Sequence, residues 1–297
     1  MSHAIPNLFI LGAPKCGTTA LTHWLALHPE VYAPPAKEPH YFSTEYCLTP
    51  ARSEYARLYR DWSVDERWAF DASVWSLFSP TAVPNIIQEQ PDAHFIVMLR
   101  NPLQMIPSMH RQQIFNGNEL EPDLRSALAL NACRAIGEEA SVLAGYPPDH
   151  LAYYTSCALG WQVDRLKSLV KSEHLHFITY DDLARAPAAV LTGVFHFLDL
   201  EPQLPTSFKK INAAKVRRFP LLDRASKSIG DWKNKQGITW RLGVLSWLRS
   251  INRKSQPIPP LTEDIVTDIQ EKLAEDVRLL SSCIGRDVTF WFDAPTN

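Results

Sequence analysis

The sequence predicts an α/β fold, a central parallel sheet flanked by helices, with a mostly helical and loop-rich C-terminal part. Three observations predict it. Short apolar runs of strand length, at residues 5–11, 94–99 and 174–180, alternate with stretches of helical spacing. The first run enters a loop of small residues, Gly12-Ala-Pro-Lys15-Cys16-Gly17-Thr18-Thr19, and a helix-like stretch follows at once. Strands that alternate with helices pair in parallel and are covered on both faces.

The elements follow in order. The first strand, the glycine loop and a helix over residues 20–28 build an anion cradle. Amides at the helix start, the positive end of the dipole, Lys15 and the hydroxyls of Thr18 and Thr19 converge on one phosphate-sized ligand. In the nucleoside-triphosphate P-loop a lysine follows the last glycine and precedes the Ser/Thr. Here Thr18 follows Gly17, and the lysine stands two places earlier, as Lys15. Residues 51–62 have helical spacing, 68–71 a short strand, and 84–90 a helix leading into the strand at 94–99. That strand ends in Arg100-Asn101-Pro102. In a P-loop ATPase an aspartate that helps hold Mg²⁺ stands at the corresponding end. A cation there, followed by a helix opened by proline, suits a second phosphate bound without metal. Ser108 lies about two turns into that helix. Further helices are expected over 102–115, 123–143, 157–171 and 187–198, with a strand over 174–180. From Pro202 to residue 260 no regular element is predicted, and this Lys- and Arg-rich stretch reads as loops wrapped over a site. Thr262 is expected to cap a last helix whose stripe is Ile265, Ile269, Leu273, Val277 and Leu280.

Composition sets bounds. The 297 residues, 45% hydrophobic and 21% charged, suit one soluble globular domain spanning 1–297. A formal net charge of −2 supplies no global field for nucleic acid or an anionic membrane. Five cysteines, an odd number at no metal-like spacing, point to reduced thiols in the cytoplasm. The N-terminal apolar run lacks the basic flank of a secretory leader, and no run approaches the roughly 20 apolar residues of a membrane span.

At Lys15-Cys16-Gly17-Thr18-Thr19 and Arg100-Asn101-Pro102 with Ser108, the chain resembles sulfotransferases that use 3′-phosphoadenosine 5′-phosphosulfate (PAPS). Lys37-Glu38-Pro-His40-Tyr-Phe42 is similar to a segment of bacterial members and their glycan-sulfating relatives. The tail from Ile284 to Trp291 is similar too. The resemblance implies that Lys15, Cys16, Gly17, Thr18 and Thr19 hold the 5′-phosphosulfate, and that Arg100 and Ser108 hold the 3′-phosphate. Arg218 is the expected further cation there, with Lys227 or Lys233 behind it. It also implies direct in-line transfer to an acceptor hydroxyl of a glycan, lipid or small molecule. The desulfated nucleotide PAP is released, with no metal involved.

Sulfuryl transfer needs a base, cations around the moving group and a stabilised leaving oxygen. Glu38 is the base that the resemblance implies, suited to the task if partial burial raises its pKa. His40 competes, since an imidazole titrates near neutrality unaided, and in an extended segment both side chains share a side. Structurally, Glu38 can instead pair with Lys37, and Cys16 can simply fill a tight space. Asp71 and Ser73 stand where relatives carry a Glu-x-Ser segment near the acceptor cleft. Two other classes stay open: a P-loop kinase using ATP and Mg²⁺, and a PAP-binding module without catalysis.

Overall fold

The computed structural model describes residues 5–45, 51–208, 215–217, 253–255 and 259–293. Its centre is a five-stranded parallel sheet built from β1 (Leu8–Gly12), β2 (Val31–Tyr32), β3 (Trp68–Asp71), β4 (His94–Leu99) and β5 (Leu175–Thr179). The strand order is β2-β3-β1-β4-β5. Every residue of β1 is buried, as expected of a strand covered on both faces. After β1 the chain passes to one side of it, forms β2 and β3, and then crosses back to lay β4 on the other. The crevice beyond the carboxyl end of β1 is therefore the topological switch point, where open parallel sheets bind ligands.

Helices α1 (Thr18–Leu25), α2 (Arg52–Arg57), α3 (Ala82–Glu89) and α4 (Pro102–Asn116) alternate with these strands. The helix expected over 123–143 is two short ones, α5 (Leu124–Ala129) and α6 (Asn131–Ala135), followed by Gly137 at φ +87° and irregular chain. The physical reason is Arg134. Its guanidinium is fully buried and donates to both carboxylate oxygens of equally buried Glu119, at 2.8 and 2.9 Å. It also donates to the Ala140 and Leu151 carbonyls at 3.0 and 3.2 Å, and a straight helix would not present them. Tyr153 adds its hydroxyl to Glu119 at 2.9 Å. A buried pair persists when its remaining hydrogen-bonding groups are satisfied in this way.

Next come α7 (Tyr153–Ser156), α8 (Leu159–Leu169), α9 (Tyr180–Arg185) and α10 (Pro187–Phe197). The stretch expected to lack regular structure contributes two short antiparallel strands, β6 (Lys215–Arg217) and β7 (Arg253–Ser255). Residues 209–214, 218–252 and 256–258 lie outside the described residues. The last helix, α11 (Glu263–Ile284), buries the predicted Ile269, Leu273, Val277 and Leu280. Thr262 precedes it, but its side chain makes no capping bond. Helix α11 crosses α8 at Gly160, where an added Cβ would stand 2.1 Å from the Asp276 carbonyl oxygen. The Asp276 carboxylate accepts the amides of Gly160 and Trp161, both at 2.8 Å, at the start of α8. No described helix is long and apolar enough to cross a membrane.

Candidate active site

The loop after β1 is fixed by two glycines. At Gly12, φ +130°, a Cβ would fall 2.2 Å from the Val74 carbonyl oxygen. At Gly17, φ +95°, it would fall 2.6 Å from Leu183 Cδ2. Gly17 is the N-cap residue of α1 and offers no side chain. The first amides of that helix thus point out of it without an intrahelical acceptor. Lys15 is half-buried in the left-handed region, φ 66°, and donates to Gln112 Oε1 at 3.1 Å. Burial, then repulsion from Arg100, lowers the proton affinity of its amine. A bound anion would oppose both effects by favouring the charged amine. Cys16 is fully buried, and burial pushes its thiol up to about 12. A thiol buried in this way fits the filling of a tight space.

Arg100, at the end of β4, donates to the Lys15 carbonyl at 2.7 Å and lies over the Tyr180 ring, 4.1 Å from its centroid. Its Nε donates to Gln104 Oε1 at 3.4 Å. Gln104, Ser108 and Gln112 recur every fourth residue and so form one stripe of α4. Ser108, half-buried, therefore sits between the glutamine bonded to Arg100 and the one bonded to Lys15. Strand β6 runs beside α4. Arg218, the next residue, lies outside the described residues, as do Lys227 and Lys233.

The segment carrying Glu38 and His40 is an irregular loop rather than an extended strand, with His40 at φ 52°. It is held by buried groups at the end of β3. The His40 amide donates to Ser73 Oγ at 2.9 Å, and Ser73 Oγ donates to Asp71 Oδ1 at 2.6 Å. Tyr55 donates to the other Asp71 oxygen at 2.9 Å. Burial raises the Asp71 carboxyl, with Ser73 and Tyr55 opposing. Glu38 departs from expectation. Burial does push its carboxyl up, but the hydrogen bond with His40 and the Lys37 charge outweigh it, and the net shift is downward. Lys37 Nζ donates to Glu38 Oε1 at 2.7 Å and to Thr18 Oγ1 at 3.1 Å. His40 Nε2 stands 3.8 Å from Glu38 Oε2. Among the described residues, His40 Nδ1 is buried without a hydrogen-bond partner. Beyond it, His150 stacks on Trp75 with ring centroids 3.7 Å apart and planes within 3°. Burial, with a smaller repulsion from His40, pushes the His150 imidazole down to about 3.

The structure thus gathers Lys15, Thr18, Arg100, Glu38 and His40, with Ser108 on the adjoining stripe. Sequence reasoning missed three participants. Gln112 was legible, since it stands one turn past Ser108. Tyr180 was legible as the residue after the next parallel strand. Lys37 counted only as a partner for Glu38, and nothing in the sequence foretold its reach to Thr18.

A family model described as the sulfotransferase domain matches residues 6–275. Among curated relatives, the Caenorhabditis briggsae bifunctional heparan sulfate N-deacetylase/N-sulfotransferase 1 is 22% identical over 78% of this chain and 27% of its own length. The Mus musculus heparan sulfate glucosamine 3-O-sulfotransferase 6 is 26% identical over 75% of this chain and 60% of its own. The matches therefore span about a quarter and three-fifths of those two proteins. A solved sulfotransferase from Alicyclobacillus acidocaldarius shares the fold, with a TM-score of 0.71 and 24% identity. That alignment covers 97% of this chain and 99% of the other.

Proposed function

The chain belongs to the sulfotransferase family, and from that premise we propose that it moves the sulfuryl group of PAPS to an acceptor hydroxyl, releasing PAP. One observation carries the reading. Three cations, Lys15, Lys37 and Arg100, surround the start of α1, and a carboxylate, Glu38, faces them across Lys37. Positive charge at a helix N-terminus suits an anionic donor, and the carboxylate suits the acceptor's proton. In this reading Lys15, Thr18 and Thr19 hold the phosphosulfate end, while Cys16 and Gly17 shape the loop. Arg100 and Ser108, with Arg218, hold the 3′-phosphate.

Glu38 removes the proton as the acceptor oxygen bonds to sulfur. The bond from sulfur to the phosphate oxygen breaks in line, and its electron pair leaves on PAP beside Lys15. His40 remains the alternative base, supported by its buried, unpartnered Nδ1. The acceptor hydroxyl belongs to a glycan, a lipid or a small molecule; the relative named as a heparan sulfate glucosamine 3-O-sulfotransferase supports the glycan, whereas the N-deacetylase/N-sulfotransferase is named for transfer to nitrogen. One domain without metal, working in the cytoplasm with its thiols reduced, completes the proposal.

Thermal unfolding with PAP, ADP or ATP, each with Mg²⁺ or with a chelator, tests it. PAP at about a hundred times its Kd stabilises by about 2.7 kcal/mol. We expect that gain in the chelator, and its loss in Lys15→Ala and Arg100→Ala. Stabilisation by ATP with Mg²⁺ alone overturns the reading in favour of a kinase.

A further inference from the structure

Lys37 is the side chain that joins the two halves of the site. Its ammonium bonds at once to Thr18 Oγ1, at the first turn of α1, and to the Glu38 carboxylate, at 3.1 and 2.7 Å. A neighbouring Lys–Glu pair in solvent is mobile, screened and of little worth. This one is not free in that way: the Lys37 side chain is 26% exposed, and its bond to Thr18 spans 19 residues of sequence. The backbone behind it is fixed too, since the Lys37 carbonyl accepts the Ala72 amide at 3.1 Å. An ammonium has three N–H groups on a flexible stem, so it can exchange acceptors without moving the chain.

We propose that Lys37 is a catalytic cation that changes partner. It holds the Glu38 carboxylate while the cradle is empty and turns to the sulfuryl oxygens when the donor is bound, freeing Glu38 to take the acceptor's proton. The proposal rests on PAPS being the donor. A carboxylate with an ammonium at 2.7 Å is a weak base. The same ammonium beside the moving group stabilises the charge that develops on its oxygens. The other charged groups facing Glu38 cannot make this exchange alone. His40, on the same loop, has its ring on Glu38, with Nε2 3.8 Å from Oε2, while its amide is tied to Ser73. Lys15, on the cradle, is bonded to Gln112 and repelled by Arg100. The chemical balance is that of ordinary transfer: the acceptor O–S bond forms, the donor S–O bond breaks, the proton goes to Glu38 and the electron pair to PAP.

PAP and PAPS differ only in the sulfuryl group, so their binding without acceptor isolates the contact. Calorimetric titration of both into wild type, Lys37→Met and Glu38→Gln is the test, with melting temperatures to verify folding. In Lys37→Met we expect PAP affinity to stay within about twofold and PAPS affinity to fall about tenfold or more. Turnover should drop about a hundredfold. In Glu38→Gln, where Lys37 is released in advance, PAPS should bind at least as tightly as to wild type while turnover is lost. Equal weakening of PAP and PAPS by Lys37→Met, or no weakening of either, overturns the exchange and leaves the donor assignment standing. Wild type that binds neither nucleotide overturns the donor assignment, and this proposal with it.

Discussion

Replacing Arg134 by Met should cost about 4 kcal/mol of folding stability, although the residue touches no part of the cradle. Both side chains of the Arg134–Glu119 pair are fully buried, and the pair is bidentate. Removing one partner of such a pair costs about 3–5 kcal/mol, because the other charge stays in the interior. Two effects then compete. Glu119 retains the Tyr153 hydroxyl at 2.9 Å and the Glu121 amide at 2.8 Å, which softens the loss. The Ala140 and Leu151 carbonyls lose their donor, at about 1 kcal/mol each, which deepens it. With stabilities of about 5–15 kcal/mol typical, the variant should fold but sit near its limit. At about 2–4 °C per kcal/mol for chains of similar size, the melting point should fall by about 10 °C. Urea unfolding of Arg134→Met, Glu119→Leu and the double variant measures it. Coupling should appear as a double variant less damaged than the sum of the singles, by about 2 kcal/mol. Single losses under about 1 kcal/mol, or strict additivity, would refute the view that this pair holds residues 117–157 in shape.

Two further outcomes follow from local geometry. Gly17→Ala forces a Cβ to within 2.6 Å of Leu183 at φ +95°, so the stabilisation by PAP in thermal unfolding should disappear while the strain costs about 1–3 kcal/mol of stability. His150 has its folded pKa pushed from 6.5 down to about 3. The unfolded chain therefore binds the extra proton between those values, and stability falls with pH through that window. Exchanging it for Phe, which keeps a flat ring on Trp75, should reduce the loss between pH 7 and pH 5 by about 2 kcal/mol in urea titrations. An unchanged acid limb would refute the burial argument.

The sheet was legible because β1, β4 and β5 are apolar runs with punctuated ends. Strand β2, only Val31–Tyr32, was not, since two residues carry no periodicity. Residues 123–143 misled because their helical spacing is real over short stretches, while a long-range ion pair breaks the helix. The cradle was legible from glycines and hydroxyls at fixed intervals. The downward shift of Glu38 was hidden, because it depends on where Lys37 and His40 come to rest in a loop. Local spacing predicts which residues share a turn; it does not predict which ammonium settles between them.

The Asn101 side chain accepts the Leu103 amide at 2.9 Å and donates to the Trp291 carbonyl at 2.8 Å. The Trp291 indole bonds to Asp181 at 2.7 Å, next to the tyrosine under Arg100. The turn that aims Arg100 is thus buttressed by a residue the ribosome adds 190 positions later. Domains fold as units during synthesis at about 5–20 residues per second, so roughly ten to forty seconds separate the two. A nascent chain carries its glycine loop early, yet the turn at Arg100 stays unbraced until Trp291 has emerged. Nucleotide retention by arrested chains of graded length would mark the point at which the brace takes hold.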